Sequence, residues 1–223
     1  MAKTYKDFEK SRFHQKYPRK SDGELVVGAT TPLNRNCAWG NFFLDRWKMN
    51  EMKAGRDPQK SMEVAGEIGT LTHYLIECWL KEEEPDTSEY GGAFIKEAER
   101  NLEGFVKWAK RMQFKAHKIE YGVASEKYNY GGQIDLICEA QGEMFLGDIK
   151  TSKGVGYPKQ EMQVVAYAKA YEEEAGTFLP QAFLHIYQGR CTIHWVDEDR
   201  VPILWDAFLT FLRAEELRKQ LGA

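Results

Sequence analysis

Apolar positions recur at helical spacing in the first half of the chain. Over residues 34–53, Trp39, Phe42, Phe43, Arg46 and Trp47 fall near one face, which predicts a helix that AGRDP (54–58) then breaks. A long helix is predicted over 59–83, ending in the charged KEEEP, and a third over 92–116, amphipathic through Phe94, Leu102, Phe105, Val106 and Trp108. From residue 118 the pattern shortens. IEYGVAS, YGGQIDLICEA and MFLGDIKTS read as strands, the last two joined by a turn at Gln141-Gly142-Glu143. Helical periodicity returns in PKQEMQVVAYAKAYEEEAG. Two further strands follow, QAFLHIY and CTIHWV, joined by Gln188-Gly189-Arg190, and a closing helix over 199–221 turns Leu204, Phe208, Phe211 and Leu212 inward. Helices, a central mixed sheet and helices again define an α/β (α+β) domain.

Composition fits that reading. The 223 residues are 43% hydrophobic and include 6 Trp, 11 Tyr and 12 Phe, enough for a packed core and too many for general disorder. No repeat, low-complexity tract or linker divides the chain. It is expected to be one domain, 28–223, with a helical portion at 34–116 and a catalytic core at 117–223, preceded by a basic arm over 1–27. No apolar run approaches the length needed to cross a bilayer, and no apolar stretch follows the charges of MAKTYKDFEKSRFHQKYPRK. An intracellular, cytoplasmic location without a membrane partner is therefore expected. Cys37, Cys78, Cys138 and Cys191 are widely spaced, so reduced thiols are expected and the spacing supports no zinc or iron–sulfur site.

The net charge of −3 does not by itself indicate a nucleic-acid partner, but its distribution is uneven. Lys3, Lys6, Lys10, Arg12, Lys16, Arg19 and Lys20 crowd the N-terminus. Lys107, Lys110, Arg111, Lys115 and Lys118, with His117 beside them, form a second cluster. Such patches can attract phosphate, although on charge alone a solvated tail and a solvated helix face are the favoured explanation.

The segment GGQIDLICEAQGEMFLGDIKTSK (131–153) carries chemistry. It places Asp135 and Asp148 on two hairpin strands, where their like charges repel unless a cation lies between them. Lys150, two residues after Asp148, shares its face. Two carboxylates and an ammonium on one side of a hairpin suit a hard divalent ion acting on a phosphodiester, the ammonium orienting water or stabilising developing charge. Gln163 and Tyr167, four apart on the following helix, share a face and can hold phosphate or buttress the Asp–Lys pair.

This hairpin resembles the PD-(D/E)XK nuclease superfamily, in particular its RecB-type exonuclease branch. The branch's Gly-x-(Ile/Val)-Asp strand is matched by Gly132-Gln133-Ile134-Asp135, its Asp-x-Lys-Thr strand by Asp148-Ile149-Lys150-Thr151, and its Gln-x-x-x-Tyr helix by Gln163 and Tyr167. Upstream, Gly69-Thr70-Leu71-Thr72-His73 resembles the branch's Gly-Thr-x-x-His motif. The resemblance implies a restriction-endonuclease-like core, with His73, Asp135, Asp148 and the Ile149 carbonyl as metal ligands. It gives Lys150 and Glu120 catalytic roles and Gln163, Tyr167 and Thr151 supporting ones. Glu126 competes with Glu120 for the upstream acidic position but reads as a solvated turn. His14, His117, His185 and His194 lack comparable context and read as structural or surface residues.

The implied activity is a Mg²⁺- or Mn²⁺-dependent DNA exonuclease acting on single strands or duplex ends, leaving a 5′-phosphate, in phage-type recombination, repair or replication. A recombination or replication protein would be its partner. The iron–sulfur cluster of some relatives is not expected, because Cys191 has no nearby cysteines. Arg46, Trp47, Lys107 and Arg111 are candidate strand-lining residues. Two alternatives stay open: a structure-specific endonuclease with the same site, and a non-catalytic nucleic-acid-binding accessory protein.

Overall fold

The computed structural model describes residues 16–38 and 41–222. Its centre is a seven-stranded mixed sheet built from β1 (Tyr17–Pro18), β2 (Leu25–Gly28), β3 (Lys115–Ser125), β4 (Tyr130–Ala140), β5 (Glu143–Lys150), β6 (Gln181–Tyr187) and β7 (Arg190–Trp195). The helices are α1 (Thr30–Asn36), α2 (Asn41–Lys53), α3 (Pro58–Lys81), α4 (Gly92–Arg111), α5 (Pro158–Ala175) and α6 (Val201–Gln220).

The sheet forks. β4 pairs along one edge with antiparallel β3, and its other edge is shared by two strands. Parallel β2 takes the start of β4, with Val27 and Gly28 opposite Tyr130 and Gly131. Antiparallel β5 takes the end, from Leu136 opposite Gly147 to Ala140 opposite Glu143. Residues 132–135 are left without a ladder partner on that edge. Beyond β5, β6 runs parallel to it and β7 turns back antiparallel.

Helices cover both faces. Leu33 of α1, Val164, Val165 and Tyr167 of α5, and Phe208 and Leu212 of α6 pack with Tyr130, Ile134, Leu146 and Phe183 on one side. Ile76 of α3 and Phe105 and Trp108 of α4 pack with Leu136, Phe145, Ile149, Leu184 and Ile186 on the other. Burial of these side chains at about 1.5–3 kcal/mol each is the main force holding the three layers. A polar clasp adds to it at the α1–α6 contact. Arg218 and Arg35 both bind Glu215, and hydrogen bonding from Arg218 first, then Arg35, holds that carboxyl down at about 2.

The sequence boundaries hold for most elements, and the differences are instructive. The single helix expected over 34–53 is two, α1 and α2. Trp39 lies outside the described residues, as do the side chains of Phe42 and Phe43. The helix expected to reach 116 ends at Arg111, because Gln113 adopts φ 50° and Phe114 closes the turn through Ala109, which starts β3 earlier. Tyr17–Pro18 and residues 25–27, expected to lie in the basic arm, belong to strands β1 and β2 of the sheet. Residues 1–15 lie outside the described residues. Glu126 lies in an exposed turn, as expected, and there it accepts hydrogen bonds from the Lys20 and Ser21 backbone and the Ser21 hydroxyl, fastening the β1–β2 turn to the β3–β4 turn.

One contact ties the α3–α4 layer to the β6–β7 turn. Gly104 packs so tightly on Gly189 that a Cβ would overlap the Gly189 carbonyl, while Asn101 accepts a hydrogen bond from the Gly189 N–H. Gly104→Ala is therefore expected to lower stability by about 1–3 kcal/mol, since backbone and not a mobile side chain must give way. Urea unfolding measures this, and an unchanged midpoint contradicts the contact.

Candidate active site

The fork in the sheet is where the site forms. β5 diverges from β4 after Gly147, and the ladder hydrogen bond that Ile149 N–H would otherwise make to β4 backbone is made to the Asp135 carboxylate instead, at 2.9 Å. Both carboxylates are buried, Asp135 at 6% and Asp148 at 2% exposure, which costs free energy unless charge or hydrogen bonds compensate. Lys150 Nζ sits 2.5 Å from Asp148 Oδ2, as their shared strand face predicts.

The strand opposite is distorted at the matching position. Ile119 opposite Leu136 and Tyr121 opposite Ile134 place Glu120 across from Asp135, and Glu120 adopts a left-handed backbone with φ 50°. In consequence, Ile119 packs with the α3–α4 layer and Tyr121 with the α5 layer, although residues two apart on a regular strand share a face. Ile134 and Leu136 are divided between the two layers in the same way. Non-glycine residues held in this region carry roughly 1–3 kcal/mol of strain, and such positions cluster at functional sites.

Helix α3 supplies the third wall. It is capped by Asp57, which accepts from Gln59 N–H, and runs 24 residues so that its middle passes over the fork. Gly69 lets it approach: a Cβ there would press on the Thr151 hydroxyl at the end of β5. One turn later, His73 Nδ1 lies 3.6 Å from Asp135 Oδ2. Ligand atoms of His73, Glu120 and Asp135 all fall within 4.8 Å of one another. Imidazole nitrogen and carboxylate oxygen suit a divalent ion such as Mn²⁺ or Mg²⁺, and three donors from three different elements make the set compatible with one.

Helix α5 backs the site from the opposite layer. Gln163 Nε2 donates to Tyr167 Oη at 2.9 Å. Burial, then the field of Asp148, raises the Tyr167 phenol far above its ordinary pKa, so it stays a protonated donor. Gly132 is what admits the ring, because any Cβ at that position would overlap it. The Gly-x-Ile-Asp and Gln-x-x-x-Tyr patterns thus meet as one packing unit.

The walls enclose a cleft of about 760 Å³. His73, Asp135, Asp148, Ile149, Lys150, Thr151, Gln163 and Tyr167 all line it, joined by Gln133 and by Tyr17, Thr30, Thr31 and Asn34 from the N-terminal elements. Those last four carry no motif and are found only through the fold, as is Glu77. Buried one helical turn past His73, Glu77 pairs with Lys81. Burial opposes the Lys81 charge, yet that hydrogen bond and the fields of Glu77, Glu83 and Glu120 raise its pKa overall. Arg46, Trp47, Lys107 and Arg111 do not line the cleft, and Lys107 pairs with Glu103 on its own helix.

A forked mixed sheet with an acidic pair at the fork and helices on both faces is consistent with a restriction-endonuclease-like α+β core. The structure is similar to that of a protein from Eubacterium rectale described as a "putative exonuclease", with a TM-score of 0.51 and 14% identity over 71% of this chain and 68% of that one. It also matches LHK-Exo in complex with dAMP at 14% identity, covering 88% of this chain and 93% of that one, with a TM-score of 0.38. At 14% identity the likeness to the Eubacterium rectale protein concerns the fold alone. No protein-family model matches the chain, and no curated protein matches its sequence.

Gly132→Ala is expected to cost about 1–3 kcal/mol by displacing the Tyr167 ring, and much less in a Tyr167→Leu background. A double-mutant cycle by urea unfolding checks it. Additive losses would mean that the two motifs do not pack as a unit.

Proposed function

We propose that the chain is a metal-dependent deoxyribonuclease of the PD-(D/E)XK type that hydrolyses phosphodiester bonds from a DNA end. The observation that carries this is the convergence of His73, Glu120 and Asp135 ligand atoms within 4.8 Å, with His73 and Asp135 lining the same cleft as the Asp148–Lys150 pair and Glu120 behind its lining. A divalent ion held by His73, Asp135 and Asp148, with Glu120 and the Ile149 carbonyl as further donors, would polarise the scissile phosphate and acidify a bound water.

The protein's own groups supply the rest. The Ile149 N–H donates to the Asp135 carboxylate and so restrains its orientation without help from a substrate. Asp148 occupies one of the three Lys150 donors, which leaves the ammonium free to hold a water or a phosphate oxygen with the others. Gln163 and Tyr167 offer neutral donors on the far wall, where a phosphate oxygen can be held without a further buried charge. Thr151 closes the rim beside Gly69, at the closest approach of α3 to the end of β5. A phage-type role in recombination, repair or replication, and a protein partner there, follow from the motif resemblance.

End-labelled linear and circular single strands, and duplex DNA, incubated with Mn²⁺, Mg²⁺ or EDTA test the reading. Cation-dependent release of short products from linear ends is expected, the circle being spared, and Lys150→Ala should slow release by about 100–1,000-fold. Cutting of the circle would replace the exonuclease with an endonuclease. Binding without cleavage under every condition overturns the catalytic claim.

A further inference from the structure

The α1–α5–α6 layer stops short of one corner of the sheet. Phe183 of β6 is buried beneath that layer, but His185 and Tyr187, on the same face by strand alternation, are only half-buried. On β7, Arg190, Thr192 and His194 are exposed, whereas Cys191 between the first two packs into the α3–α4 layer. The corner is therefore open on one side and supported on the other.

This open face continues the cleft. Parallel pairing sets His185 beside Lys150, and antiparallel pairing sets Tyr187 beside Arg190. His185 Nε2 lies 2.8 Å from the carbonyl oxygen of Ser152, a residue of the cleft wall. The His185 and Tyr187 rings are parallel to within 9° with centroids 6.1 Å apart, and the His194 ring meets His185 edge-on at 5.5 Å. Neither β6 nor β7 contains an Asp or Glu, while Arg190 and the exposed Lys153 add positive charge nearby. A solvent face of a sheet edge normally carries flexible polar chains. Here it carries aligned rings without carboxylates, beginning one strand, about 5 Å, from the lysine at the site.

We propose that His185 and Tyr187 form a stacking platform for the bases of a single-stranded nucleic acid whose phosphates enter the cleft at Lys150. Bases in a duplex have their faces covered by their neighbours, so only an unpaired strand can offer π-faces to these rings. Arg190 and Lys153 lie where the backbone of such a strand would need countercharge. The platform rests on the nuclease reading for the identity of the cleft, but its test is independent of cleavage.

The probe is fluorescein-labelled (dT)20, bound in EDTA and followed by anisotropy, with thermal melts confirming that each variant is folded. The double variant His185→Ala/Tyr187→Ala is expected to bind roughly tenfold or more weakly than wild type, and Tyr187→Phe to bind as wild type because the ring is kept. A blunt duplex of the same length should show a much smaller loss in the double variant. Equal (dT)20 affinity in the double variant overturns the platform and leaves the nuclease reading standing. Tyr187→Phe as weak as the double variant would assign the effect to the hydroxyl and likewise overturn it. Wild type that fails to bind (dT)20 removes the platform, and the cleavage assay then decides separately on the nuclease.

Discussion

The hydrogen bond from Ile149 N–H to the Asp135 carboxylate is the interaction around which this molecule is arranged. It exists because one edge of β4 serves two strands, β2 at its start and β5 at its end, and neither pairs with the residues between. A backbone donor at such a fork must find an acceptor, since leaving it buried and unmet would cost about 1–3 kcal/mol. Asp135 meets that need with a side chain. The same carboxylate that closes the backbone account of the fork is thereby held rigidly where His73 and Glu120 approach. Structural necessity and site preorganisation are one contact.

The surrounding layers make that contact accessible. His73 comes from the α3 layer and Tyr167 from the α5 layer, so the site reaches through the sheet rather than lying on one face. Two features allow it. The left-handed Glu120 and its partner Asp135 switch the facing of β3 and β4 at the fork, and Gly69 and Gly132 let α3 and the Tyr167 ring approach to contact distance. Strain at Glu120 is stored by the long β3–β4 pairing on both sides of it, from Lys115 to Ser125.

Much of this was legible in the sequence, for identifiable reasons. β4 and β6 have the boundaries expected from YGGQIDLICEA and QAFLHIY, because apolar-rich stretches bounded by turn residues leave little freedom. Asp148 and Lys150 needed only strand alternation, and Gln163 and Tyr167 only the helical repeat. The hairpin itself brought Asp135 beside them, but His73 and Glu120 required the motif resemblance, since no periodicity places α3 over a hairpin 60 residues later. Tyr17, Thr30, Thr31 and Asn34 were not legible. They reach the cleft because β2 pairs parallel to β4, a long-range choice that a four-residue strand does not announce. Lys107 and Arg111 show the converse: local basic character suggested a site, but neither residue lines the cleft, and Lys107 pairs with Glu103 on its own helix.

Electron paramagnetic resonance of Mn²⁺ during titration with the protein tests the central claim most directly, because bound ion is removed from the free-ion spectrum whether or not any substrate is cleaved. The account predicts saturable uptake by the wild-type protein, weakened at least about tenfold by His73→Ala and by Asp135→Asn in variants that still fold. A wild-type protein that leaves the free Mn²⁺ signal unchanged, or variants that take up the ion as well as wild type, would contradict it.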